Sequence, residues 1–136
     1  MTDKNVSIMN IGSMGYLPQV FKKIENEKKL NIVYLGGSIT MGCNATKNEL
    51  RYVDRSAKWW QTNFPEAEIS YFNAGIGATT SQFGVARVQA HVLDKQPDLV
   101  FVEFSVNDSS SPLFMETYES LVRRLLKAES VKAVVL

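Results

Sequence analysis

The sequence predicts an α/β fold, a parallel sheet covered by helices on both faces. Three observations predict it. Short apolar runs alternate along the chain with stretches of helical periodicity, as in strand–helix–strand units. The runs are apolar at consecutive positions, as expected of strands buried on both faces. Three of them lead into loops rich in Gly, Ser, Thr, Asn or Asp. Connections in such a sheet are right-handed, and ligands sit outside the carboxyl ends of its strands.

The elements follow in order. Leu17, Val20, Phe21 and Ile24 fall at i, i+3, i+4 and i+7, one face of a helix, and Pro18 suits its first turn. Residues 31–35 read as a buried strand ending in the Gly36-Gly37 turn. Val53, Ala57, Trp60 and Phe64 lie at helical spacing, and Pro65 stops that helix. Residues 69–72 are a second strand, followed by a Gly-containing loop over 73–80. Residues 81–93 read as a helix with Val85, Val88 and Val92 inward. Pro97-Asp98 is a turn, 99–104 a third strand and 106–111 a polar loop. Pro112 starts another helix, with Tyr118, Leu121, Val122, Leu125 and Leu126 on one face, and 131–136 read as a fourth strand. A chain ending on an apolar strand looks cut, so the expectation is one domain over residues 1–136, incomplete at its C-terminal end.

Composition narrows the function classes. With 45% hydrophobic and 21% charged residues, the chain can bury a core, which argues against disorder. Fifteen basic against 14 acidic residues give no electrostatic footprint for nucleic acid or an anionic membrane. The densest charge cluster, residues 22–29, alternates in sign and reads as a solvated helix face. One cysteine, Cys43, excludes an internal disulfide, and with one histidine, His91, it cannot make a Cys/His zinc site. Residues 1–10 are polar without a signal-peptide run, and no stretch approaches the ~20 apolar residues of a membrane span. A cytoplasmic protein is the expectation.

The three loops carry the candidate chemistry. Ser38 follows a strand and a glycine pair, where the chain turns sharply at the top of the sheet. Its hydroxyl becomes a nucleophile only beside a base and donors for the oxyanion. The same residues could simply make a turn or cap a helix. The loop has neither the Lys of a phosphate-binding P-loop nor three-glycine dinucleotide spacing. In 73–81, small residues let backbone N–H groups approach a substrate, although a helix capped by Ser81 would use the same residues. In 105–108, the Asn107 amide is a neutral oxyanion donor or the head of an Asx-turn.

Taken together, these blocks resemble the SGNH/GDSL hydrolases. Residues 37–40 look like the family's nucleophile block. Residues 73–81, continuing through Gly84 and Arg87, look like the second block, and 106–108 like the third. The resemblance covers about 31–108, and more loosely extends to 136. It implies a flavodoxin-like three-layer α/β/α fold and an esterase or lipase needing no metal or cofactor. It implies Ser38 as nucleophile, with an oxyanion hole from the N–H of Ser38, the N–H of Ala78 or alternatively Gly77, and the side chain of Asn107. The implied substrate is a small acyl ester, such as an acetylated carbohydrate. Ala78 stands where the family usually has Gly, and Ser105 stands where the third block usually begins with Gly. The family's fourth block, Asp-x-x-His, is not among these 136 residues. His91 is an unsuitable substitute, about three helical turns from the loop. The chain alone is therefore expected to be nearly inactive, and its incomplete sheet to favour self-association. Cys43 is expected to be a small packed residue, Trp60 core and Trp59 a surface aromatic. The rival readings are a flavodoxin-like module that binds a small anion and a non-catalytic relative that works by protein contact.

Overall fold

The computed structural model describes residues 12–13, 15–109 and 112–136. The polar start over residues 1–10 and the end of the third loop at Ser110 and Ser111 lie outside the described residues.

The first helix, α1 (Leu17–Glu27), carries Pro18 in its first turn, where a missing N–H costs nothing. It ends at Lys28, whose left-handed backbone (φ 51°) returns its N–H to Ile24 O. The chain then enters β1 (Lys29–Gly36), a four-residue helical turn α2 (Ser38–Met41) and α3 (Tyr52–Asn63). Next come β2 (Glu68–Gly75), α4 (Ser81–His91) and β3 (Leu99–Glu103). A second short helical turn α5 (Ser105–Asp108), α6 (Phe114–Leu126) and β4 (Ala133–Val135) complete the order.

The four strands are parallel in the order β2-β1-β3-β4, the flavodoxin-like arrangement. β1 is central, and its side chains alternate between two half-cores. Leu30, Ile32 and Tyr34 pack with Val20 and Ile24 of α1 and Val53 and Trp60 of α3. Val33 and Leu35 pack with Val88 of α4 and Leu121 and Leu125 of α6. Each fully buried Leu or Ile contributes roughly 1.5–3 kcal/mol by leaving water. Gly84 explains how α4 and α6 approach closely. A Cβ there would lie 2.9 Å from Phe104 Cζ and 3.3 Å from Leu121 Cδ2. A mid-helix glycine costs about 1 kcal/mol in helix propensity, which this packing offsets.

Several expectations need adjustment. The third loop is partly helical, because Ser105 begins α5. The last helix starts at Phe114, after a turn containing Pro112. β4 has only three residues: Val131 closes a turn onto Ala128 O and Leu136 is exposed. Cys43 is exposed rather than packed, since Gly42 (φ 94°) turns the chain outward. Lys23 is the exception on the solvated face of α1, pairing with Glu27 at 2.7 Å and Asp98 at 3.2 Å. These two carboxylates, Glu27 first, raise the Lys23 pKa above its ordinary value against the opposing effect of burial.

Candidate active site

All three polar loops leave the carboxyl ends of neighbouring strands, and the packing there is close enough to demand glycine. A Cβ on Gly36 would overlap Thr40 Oγ1 and Glu103 O, and one on Gly75 would overlap the Met41 backbone. The end of β1, α2 and the end of β2 are therefore in direct backbone contact. Ser38 opens α2, with Gly37 as the preceding cap residue and no side-chain cap bond, so its hydroxyl is not capping a helix. Its N–H occupies the first helical position, where no intrahelical carbonyl can meet it. The turn is tied down by Gly37 N–H to Glu103 O (3.2 Å) and by Gly42 and Cys43 N–H to Ser38 O (3.0 and 2.9 Å). Thr40 is buried against Tyr52, their hydroxyls 2.9 Å apart, and burial pushes the Tyr52 hydroxyl pKa up.

The second loop is held just as locally. Asn73 donates from Nδ2 to Thr40 O (2.8 Å) and accepts at Oδ1 from Gly75 N–H (2.9 Å). Ile76 N–H meets Gly36 O at 3.1 Å, and Thr79 Oγ1 donates to Ile76 O at 2.7 Å. Ala78 sits exposed at φ 57°, in the left-handed region. The resemblance leads one to expect glycine at Ala78 or Gly77, and glycine adopts the left-handed backbone seen at Ala78 without steric cost. An L-residue there costs roughly 1–2 kcal/mol that glycine avoids. Gly77, the alternative donor, has no such backbone, and a Cβ on it would make ordinary contact with Met41.

The third loop closes the group. Asn107 donates from Nδ2 to Thr79 O (2.8 Å), and the same Nδ2 lies 3.0 Å from where a Cβ on Gly37 would be. Gly37, Thr79 and Asn107, one from each loop, thus touch. Asp108 is buried, 3% exposed, and accepts the Ser81 N–H at Oδ1 (2.8 Å). It caps α4 from another element, which sets aside the alternative reading of the loop in which Ser81 itself caps the helix. Ser81 instead pairs its hydroxyl with Thr117 of α6 at 2.6 Å. Ser105, at the other family departure, is exposed and turns its hydroxyl to Glu103 Oε1 (2.7 Å).

His91 belongs to a different neighbourhood. Its Nδ1 lies 3.3 Å from Arg87 NH1, and among the described residues no hydrogen bond links it to Ser38. Arg87 belongs to the second block, but the sequence assigns it no role of its own. It is 5% exposed, and it donates to Ala74 O (2.6 Å) and Gly36 O (3.0 Å). Burial pushes its pKa below the ordinary value. The signal in the sequence was its place in the second block, but spacing alone does not aim a side chain. Among the described residues, no group of three or more His, Cys, Asp or Glu side chains could hold a metal ion. No helix among them is long and apolar enough to cross a membrane.

Beside the third loop runs an apolar groove of about 820 Å³, from Ser105 and Asp108 past Phe114, Tyr118 and Val122 to Leu136. Its volume is within the range of small-molecule sites.

Comparison with known proteins adds the wider context. The model of the GDSL-like Lipase/Acylhydrolase family matches residues 34–136. The fold superposes with a TM-score of 0.87 and 50% identity on a two-domain esterase (CEX) active on acetylated mannans, over 92% of this chain and 34% of that one. Axe2, an acetylxylan esterase from Geobacillus stearothermophilus, shares the fold at a TM-score of 0.62 and 23% identity, over 77% of this chain and 57% of that one. An uncharacterized lipoprotein of Bacillus subtilis (strain 168), YqeF, is 28% identical over 101 residues, 61% of this chain and 42% of the relative. The chain thus spans about a third of the mannan esterase and under half of the Bacillus protein.

Proposed function

Since the chain belongs to the GDSL-like lipase/acylhydrolase family, we propose that the protein is a serine ester hydrolase that removes small acyl groups, acetyl first, from a carbohydrate. The observation that carries this reading is the three-loop contact of Gly37, Thr79 and Asn107 beside Ser38. The 50% identity to an esterase active on acetylated mannans supports the substrate class.

In this mechanism Ser38 Oγ attacks the acyl carbonyl and its proton passes to a base. The carbonyl oxygen becomes an oxyanion held by the N–H groups of Ser38 and Ala78 and by the Asn107 amide. Between Ala78 and Gly77 the reading favours Ala78, whose left-handed backbone is one that glycine adopts freely, which supports matching it to the family's glycine. The Thr79 bond fixes the orientation of Asn107 Nδ2, so little reorganisation remains when charge develops. Collapse breaks the ester C–O bond, the alcohol leaves with the proton, and water releases the acyl group by the same steps. The base is assigned to the histidine of an Asp-x-x-His block outside residues 1–136.

Loss of a serine nucleophile costs on the order of 10⁶ in kcat. Acetate release from acetylated manno-oligosaccharides by the natural full-length gene product should therefore disappear in Ser38→Ala. Undiminished release would refute the reading, and saturable binding of a small anion without hydrolysis would favour a binding module instead. Residues 1–136 alone are expected to be nearly inactive. They are also expected to self-associate through the outer edge of β4 and the groove that ends at Leu136; a monodisperse monomer in light scattering would contradict this. A cytoplasmic location is the companion proposal; fractionation of the source cells tests it, against the membrane attachment that the name of the Bacillus relative suggests.

A further inference from the structure

We propose that Arg87 is the positioning residue that sets the nucleophile loop against the backbone-donor loop. This rests on the hydrolase reading above. Gly36 is the last residue of β1 and Ala74 the last but one of β2, each just before its chain turns toward Ser38 or Ala78. In the sheet register Leu35 faces Ala74 and Gly36 faces Gly75, so the two carbonyls lie on adjacent strands one residue apart in register. The guanidinium spans them, NH1 to Ala74 O and NH2 to Gly36 O. Gly36 O also receives Ile76 N–H, so one carbonyl joins the arginine to both loops.

The partners of this cation are unusual. Among the described residues Arg87 makes no ion pair with a carboxylate. It meets two carbonyls, the His91 ring nitrogen and the face of Phe83, 5.8 Å from Cζ to the ring centroid, and its Nε has no partner. Burying a cation without an anion is costly, and a surface-exposed residue would serve α4 equally well if helix stability were the only need. A rigid planar fork is the feature that two fixed carbonyls use. Lysine, a point charge on a flexible stem, cannot hold both in one plane.

The test is Arg87→Lys and Arg87→Gln in the full-length gene product, with kcat and KM for p-nitrophenyl acetate normalised to titrated active sites. The expected result is a kcat lower by roughly 10²-fold in the Gln variant, the scale of a 1 Å misplacement, with the Lys variant between it and the native protein. KM is expected to stay within about threefold in both, since misplacement of the reacting groups acts on kcat. A per-site kcat equal to native in either folded variant would overturn the inference, as would failure of both to fold, which would make the role purely structural. If Ser38→Ala retains activity, the hydrolase reading itself fails, and that outcome is distinct from either result at Arg87.

Discussion

The two ends of the sheet treat buried charge differently. At the amino ends, Asp98 is 6% exposed and its carboxylate is fully engaged: Oδ2 accepts Asn31 N–H at 2.9 Å and Oδ1 pairs with Lys23 at 3.2 Å. Asn31 Nδ2 adds a bond to Lys95 O at 2.6 Å. At the carboxyl ends, Arg87 has no carboxylate partner, and Asp108 uses one oxygen on Ser81 N–H while Oδ2 has no partner. Among the described residues, the buried side-chain atoms left without partners belong to Arg51, Asp54, Arg87 and Asp108, at the start of α3, on α4 and on α5. Saturated pairing closes one end and serves stability. At the other end, backbone contact and single-sided bonds hold loops in place around a serine. The contrast teaches that polar residues at the two ends answer to different demands, and variants should separate them.

The largest effect should come from the site end. In the full-length protein, Asn107→Ala is expected to lower kcat by roughly 10²–10³, the cost of one oxyanion donor, with thermal stability little changed. Steady-state kinetics beside a melting curve checks this; a native kcat would remove Asn107 from the oxyanion hole. At the opposite end, Asp98→Ala should orphan the Asn31 N–H and cost about 1–3 kcal/mol. In urea unfolding the midpoint should fall, while kcat per folded molecule stays within about twofold of native because the chemistry lies at the far end of the strands. A large loss of kcat would dissolve the distinction between the two ends.

The fold was legible because its signals are local. Residues 32–35 are apolar without interruption, and they lie in the central strand that feeds both half-cores. Val20 and Ile24, Val53 and Trp60, and Leu121 and Leu125 lie inward as their spacing demands. Boundaries were less legible where tertiary contact decides them. The edge position of β4 limits it to Ala133–Val135, and the turn at Ser105 is set by packing at the end of β3. Within the site, the three loops could be placed because loops after strands converge at one end of a parallel sheet, whereas Ser38, Ala78 and Asn107 were singled out by the resemblance to the hydrolase family. Their supports could not be named, since Arg87 reaches two strand ends from α4 and Asp108 caps a helix 27 residues earlier in the chain. Cys43 was misjudged because residue type indicates burial on average, whereas the Gly42 turn sets it here.

The smallest effect sharpens the comparison further. Ala78→Gly should relieve left-handed strain and change stability by no more than about 1 kcal/mol, because glycine's gain in the folded state is partly offset by its freer unfolded chain. Activity should be kept, since a backbone N–H is retained. Urea titration with kinetics reads both; a loss of activity would mean that the Ala78 methyl itself contacts substrate.

The central claim is that Ser38 is the nucleophile. Its most direct test is to treat the full-length protein with a fluorophosphonate ester and locate the adduct by mass spectrometry. The account predicts one stoichiometric phosphonyl group on Ser38, in step with loss of esterase activity and absent from Ser38→Ala. An adduct on another residue that accompanies inactivation, or inactivation that persists with Ser38 unmodified, would contradict it.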